Sequence, residues 1–258
     1  MAKVRGLSPS KMVGSVGDYT YRRTKFGTVV SEKIQKGRKL PSLAQARNRY
    51  QTTNLANFGA ALLPAIKKGF EKAVGGEIAA FMAANRGMQP VYIPKYLAES
   101  RACIVVPCQM TAGSLPPVRN TIKDGKCVSN IAVGNFAFGA SATVADLSNA
   151  IISNNDDWRD GDQLSYFSII QGSHTVGDVK APVVKVNRYE VYLDLLDTTN
   201  TLYSMVARYG FATVADNGVN YLGLSGAPAE GGYAYVHSRG TGADMVVSTQ
   251  FVKVNNAA

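Results

Sequence analysis

Cysteine, histidine and tryptophan are scarce in this chain of 258 residues, which has three Cys, two His and one Trp. The odd cysteine count, without an apolar leader between Met1 and Gly14, argues against a secreted disulfide framework. Cys103 and Cys108 are five residues apart, so on a strand they point to opposite faces and share neither a bond nor a metal. They and Cys127 are expected as small buried hydrophobes. His174 and His237 have no acidic or cysteine partner at motif spacing, so no zinc site is expected. No apolar run reaches 18 residues, and no transmembrane helix is expected. Gly 25 and Pro 10 are too few for a collagen-like or low-complexity chain. The chain carries neither a phosphate-loop pattern nor a nucleophile-elbow pattern, and no carboxylate pair stands out as an acid–base couple. The expectation is a non-enzymatic protein without cofactor or metal, made in the cytoplasm.

Acidic residues are nearly absent from the first quarter. Residues 1–72 hold fifteen Lys and Arg against Asp18, Glu32 and Glu71, a net +12 of a total +10. The remaining 186 residues carry a net −2. A basic segment of this kind can meet an acidic protein surface, neutralise nucleic-acid phosphates, or simply keep the protein soluble. The contact candidates are Arg22, Arg23, Lys25, Lys33, Lys36, Arg38, Lys39, Arg47 and Arg49. Tyr19, Tyr21, Phe26 and Tyr50 interleave with them, which suits either base stacking or hairpin packing.

What is abundant is apolar residue, at 46%, enough for a large core. Residues 18–23 and 28–34 flank a short turn with Gly27 and predict a β-hairpin, so 1–41 is expected as a basic arm and hairpin. Leu55, Phe58, Leu62, Ile66 and Phe70 recur every three or four residues and form a packing or interface stripe. They predict a helical segment over 42–90, bent at Pro64, with Ser42 as cap and a second short helix over 77–86 capped by Gly87.

Beyond Pro94, short apolar runs alternate with turn clusters. Strands are expected at 101–109, 126–133, 135–139, 163–171, 184–195, 201–208, 220–224, 232–239 and 244–254, with one short helix over 145–153. The fold class is α+β, its C-terminal part a mainly antiparallel, immunoglobulin-like sandwich. A β-module over 95–173 and a second module or extension over 184–258 are expected, meeting near 174–184. The acidic loop 154–162 fails the calcium-loop pattern, with Trp158 at position three and Phe167 at position twelve. It predicts a surface turn with Trp158 folded back onto the core. Tyr189, Tyr192, Tyr203, Tyr209, Tyr221, Tyr233 and Tyr235 are expected as half-buried sheet residues.

Two motifs carry a resemblance. Leu63-Pro64-x-Ile66-x-x-Gly69-Phe70 follows the basic hairpin and a Gln/Arg-rich helix opening, and Asp157-Trp158-x-x-Gly161-Asp162 comes downstream. Together they resemble an uncharacterised Bacteroidota family, a domain of unknown function plausible also in phages. The likeness covers 1–90 and 154–172. The chain departs from it in having Arg38-Lys39-Leu40-Pro41-Ser42 before the helix and in extending from 174 to 258. The resemblance implies a basic N-terminal region joined to a β-sandwich-like part, and no activity. The resulting expectation is a structural subunit of an assembly, most readily a phage virion component, with other protein subunits as partners. The alternatives are a nucleic-acid-binding protein using residues 1–72, and a carbohydrate- or surface-binding β-module.

Overall fold

The computed structural model describes residues 14–24, 27–32, 42–71, 75–88, 91–98, 100–226 and 230–255. It divides into two compact units, 1–43 and 44–258. The division lies beside the boundary expected at residue 41.

The first unit contains β1 (Gly14–Val16), β2 (Tyr19–Thr24) and β3 (Gly27–Glu32), paired antiparallel in that order. The expected hairpin is β2–β3, in register from Tyr19 opposite Glu32 to Thr24 opposite Gly27. β1 adds a third strand through a turn in which Gly17 has φ +58°. Residues 25 and 26 lie outside the described residues.

The second unit is α+β, with antiparallel sheets. Its elements are α1 (Leu43–Ala61), α2 (Leu63–Ile66), α3 (Glu77–Ala84), α4 (Lys95–Ala98), β4 (Gln109–Thr111), β5 (Asn120–Lys123) and β6 (Lys126–Ala132). Then come α5 (Val144–Asn154), β7 (Gln163–Val176), β8 (Val179–Tyr192), α6 (Tyr203–Tyr209), β9 (Phe211–Asp216) and β10 (Val219–Leu224). The chain continues with β11 (Gly231–Arg239), β12 (Val246–Val247), β13 (Gln250–Phe251) and β14 (Lys253–Asn255).

The central sheet runs β12-β11-β7-β8, with β14 also on β11, and a second sheet runs β5-β6-β10-β9. Both faces of the central sheet are covered. Leu164, Tyr166, Val191, Tyr233 and Tyr235 pack with Ile131, Phe211 and Leu222 of the second sheet and Leu147 and Ile151 of α5. On the opposite face, Phe167, Ile169, Ala234 and Val236 pack with Leu55, Phe58, Leu62, Ile66 and Phe81 of the helices. This is why β11 lacks polar alternation: eight of its nine residues are buried.

The helical stripe belongs to this core. Leu55, Phe58, Leu62, Ile66 and Phe70 are all buried. Pro64 sits in the first turn of α2, where a missing N–H is tolerated, and marks the break after α1. α3 ends at Asn85 rather than Gly87, and the Asn85 side chain donates to Phe81 O and Gln109 O. α5 starts at a reciprocal cap: Thr143 Oγ1 accepts from Asp146 N, and the Asp146 carboxylate accepts from Thr143 N.

Several expectations are corrected. The boundary near 174–184 falls at the tip of the β7–β8 hairpin, whose strands stay in register for 14 residues up to Val176 opposite Val179. The polar cluster there is a turn, Gly177-Asp178, and the two expected β-modules share one sheet. The helical segment 42–90 is likewise not separate, since its stripe closes the same core. Residues 201–208 form α6, terminated by Gly210 in the left-handed region at φ +68°. Residues 135–139 are not a strand, β5 and β9 were not anticipated, and 244–254 is broken into three short strands.

Residues 102–108 follow a turn at Arg101 (φ +58°) and join no ladder. Their backbone bonds go elsewhere: Cys103 N donates to Pro182 O, Ile104 N to Asn54 Oδ1 and Val105 N to Gln171 Oε1. Asn57 Nδ2 donates back to Ala102 O. Asn54 and Asn57 of α1, with Gln171 of β7 and the Pro182 carbonyl of β8, thus replace a neighbouring strand.

The tyrosines divide by layer. Tyr233 and Tyr235 are fully buried rather than half-buried, and Tyr192 and Tyr203 are exposed. The Tyr233 and Tyr235 hydroxyls face the Cys127 thiol without a conventional hydrogen-bond partner among the described residues. A buried hydroxyl left unpaired is unfavourable, so Tyr235→Phe should raise stability by about 1 kcal/mol in urea unfolding. A loss of stability would instead show that the phenol–thiol contact is a working hydrogen bond.

Candidate interaction surface

The first unit has more apolar surface than it covers. Strand alternation puts Tyr19, Tyr21 and Val30 on one face of its sheet and Val29 on the other. Tyr19, Val29 and Val30 remain 53%, 51% and 49% exposed. A three-stranded sheet needs one packed face to be stable by itself, and among the described residues no core of the unit's own covers either face.

The expected contact residues are spread over both units. Arg22 is exposed on β2, and Arg23 follows it in the same strand. Arg47 and Arg49 are exposed on α1. Lys25, Lys33, Lys36, Arg38 and Lys39 lie outside the described residues. Arg22, Arg47 and Arg49 form no ion pair among the described residues, so their charge is available to a partner.

A second constellation is buried in the other unit. Asp162 receives a bidentate Arg239, with Nε 2.7 Å from Oδ1 and Nη2 2.8 Å from Oδ2. His237 Nε2 lies 2.8 Å from the same Oδ2. The Arg159 backbone N–H donates to it as well, and Arg239 Nη2 also donates to Asp157 O. Trp158 stacks on the His237 ring at 3.8 Å. Asp162 and His237 side chains are each 1% exposed. Gly161, at φ +82°, lets the loop double back between Trp158 and Asp162.

Burial tends to raise the Asp162 pKa, but its bonds with Arg239, His237 and the Arg159 N–H outweigh that and hold it below the ordinary carboxylate value. Burial holds the His237 imidazole below its ordinary value, against the pull of Asp162. The outcome is a neutral imidazole donating to a carboxylate whose charge is met by Arg239. No open face remains at which a substrate could meet the pair. The Asp-Trp-x-x-Gly-Asp motif therefore works as a latch, tying loop 155–162 to β11. Trp158 folds onto the core as expected. The partners of Asp162, 75 and 77 residues away in sequence, carried no spacing signal.

The three cysteines are free and buried. Burial pushes Cys103 and Cys127 up to about 11 and Cys108 up to about 12, so all three stay thiols at neutral pH. No group of three or more His, Cys, Asp or Glu that could hold a metal occurs among the described residues. No helix among them is long and apolar enough to cross a membrane.

Comparison with known proteins finds no family model, no curated protein and no solved structure that matches this chain.

Proposed function

We propose that the chain is a non-enzymatic assembly subunit, a virion component of a phage or phage-derived particle, that attaches to neighbouring protein subunits through its basic N-terminal sheet. The carrying observation is the exposure of Tyr19, Val29 and Val30 on a sheet that forms its own compact unit. A partner supplies the missing packed layer, and the edges of β1 and β3, which pair with no further strand among the described residues, offer it backbone donors and acceptors. The excess of positive charge in residues 1–72 selects an acidic partner surface and speeds encounter. In this reading the stacked sheets of the second unit serve as an immunoglobulin-like packing module. The resemblance of residues 1–90 to a family plausible in phages directs the choice of particle.

Two variants of the full chain test it. Val30→Asp and Tyr19→Asp each place a charge on the apolar face of the sheet. Wild-type protein should form higher-mass species in analytical ultracentrifugation at high concentration. Both variants should weaken that association at least tenfold, with the main melting transition unchanged. A wild-type protein that stays monomeric, with residues 14–32 resistant to protease, would sink the proposal. So would tight binding to generic DNA or RNA that falls steeply with salt, the mark of counterion release from phosphates.

A further inference from the structure

The central sheet outruns the sheet stacked on it. β9 and β10 stop at Phe211 opposite Leu224, while β7 and β8 continue to Val176 and Val179. The face of β7 that carries Tyr166 into the core continues two residues later to Ser168, which lies opposite Asn187 of β8. Beyond the end of β9 and β10 this face opens into a cleft of about 410 Å³. Tyr166 and Tyr209 form its aromatic wall, and Ser168, Asn187, Arg208 and Ser225 supply its polar groups. Gly210 makes this possible: as the left-handed cap of α6 it ends the helix at the mouth of the cleft and leaves Arg208 and Tyr209 there. The Arg208 guanidinium lies over the Tyr209 ring, 5.7 Å from its centroid.

The Ser168 hydroxyl is engaged by Tyr166 and the Tyr209 hydroxyl donates to Arg188 O, but the rest of the hydrogen-bonding capacity of this cleft is unspent. Among the described residues, the side chains of Asn187, Arg208 and Ser225 bond to no protein group. Among the described residues no acidic side chain lines the cleft. Lys185, opposite Ile170 in register, adds a second cation on the same sheet face.

We propose that this cleft binds a single sugar ring bearing a carboxylate, a free or chain-terminal uronate. The guanidinium fork matches a carboxylate in two parallel bonds. The carboxamide of Asn187 and the hydroxyl of Ser225 each donate and accept, as neighbouring sugar hydroxyls require. The tyrosine wall takes the apolar face of the ring. The volume lies at the lower end of the range for ligand sites, which favours one ring over an extended chain.

Saturation-transfer NMR on the full chain tests this with glucuronate and galacturonate as probes, and glucose, galactose and acetate as controls. A uronate should bind at millimolar or lower concentration, at least tenfold tighter than its neutral hexose and than acetate. Arg208→Gln should erase the preference for uronate over hexose, and Asn187→Ala should weaken both. Asn187→Ala should leave the melting temperature unchanged, because its side chain has no protein hydrogen bond to lose, and Arg208→Gln should lower it by no more than about two degrees, the loss of an exposed contact with the Tyr209 ring. A tetrameric uronate should bind no tighter than the monomer. No transfer from any uronate overturns the proposal, as does equal binding of uronate and hexose, or of uronate and acetate. Unchanged uronate binding in Arg208→Gln overturns it as well. A tetramer binding tenfold tighter would show an extended groove in place of a one-ring site and equally overturn it.

Discussion

Replacing Asp162 with Ala should destabilise the protein by about 3–5 kcal/mol, the usual result of removing one partner of a buried ion pair. The substitution leaves the Arg239 guanidinium without its carboxylate and the His237 ring without an acceptor, and it opens the turn that Asp162 closes on the Arg159 N–H. For a unit of this size each kcal/mol shifts the melting temperature by about 2–4 °C, so the effect is plain in a thermal scan. Arg239→Ala should do less, since that side chain is 28% exposed and part of its charge is already solvated. If Asp162→Ala melts within a degree or two of wild type, loop 155–162 is not held by the latch.

The same cluster sets a pH dependence. The native pKa values of His237 and Asp162 both lie below their ordinary values. In each case the unfolded chain binds protons that the native chain refuses, so stability rises with pH. Stability should therefore fall as pH drops below about 6.5, where His237 titrates in the unfolded chain, and fall again below about 4, where Asp162 does. His237→Asn should start lower but lose the first of these slopes between pH 7 and 5. A wild-type stability that is flat from pH 7 to 5, or rises on acidification, would contradict the assignment of a neutral buried imidazole.

Truncating Phe58 to Ala should remove about 3–5 kcal/mol, the range for emptying a packed aromatic site. Phe58 is fully buried and meets Phe81 edge-on at 6.3 Å. Gly59 permits that approach, because a Cβ there would fall 2.8 Å from the Phe81 ring. The stripe is covered by residues of its own unit, so the loss should appear in the melting of the monomer and leave self-association intact. Leu43→Ala, at a position 82% exposed, is the control and should change stability by less than about 0.5 kcal/mol. An unchanged melting temperature in Phe58→Ala, with oligomers lost, would place the stripe at an interface instead.

The parts of the fold that could be read from sequence are those whose partners lie close in the chain. The α1–α2 stripe is written in three- and four-residue spacings. The β2–β3 hairpin is written in strand-formers around a glycine. Errors came where tertiary contacts overrode local texture. Tyr203, Met205 and Val206 suit a strand, yet they form a helix that buries Met205 and stops at Gly210. The run from Ala102 to Cys108 suits a strand too, but the N–H groups of Ile104 and Val105 are taken by the Asn54 and Gln171 side chains. The hairpin tip at Gly177-Asp178 has a linker's composition because it is exposed on both sides. As for sites, the basic residues were legible as charge, while the Asp162 latch and the Arg208 cleft depend on β-register between strands far apart in sequence.

β11 has a consequence for the order in which the chain can fold. Its side chains complete both cores, its first edge pairs with β7, and its second edge with β12 and β14. It follows β7 and β8 in the chain, separated from them by α6, β9 and β10. Until it is made, the edge of β7 that pairs with β11 is bare, and Tyr166, Phe167 and Ile169 lack their β11 neighbours. Between the completion of β8 and that of β11 the nascent chain therefore carries an aggregation-prone edge. Closure is a late, nearly all-or-none event, so a stop codon ahead of Gly231 would leave a sticky template rather than a smaller stable protein.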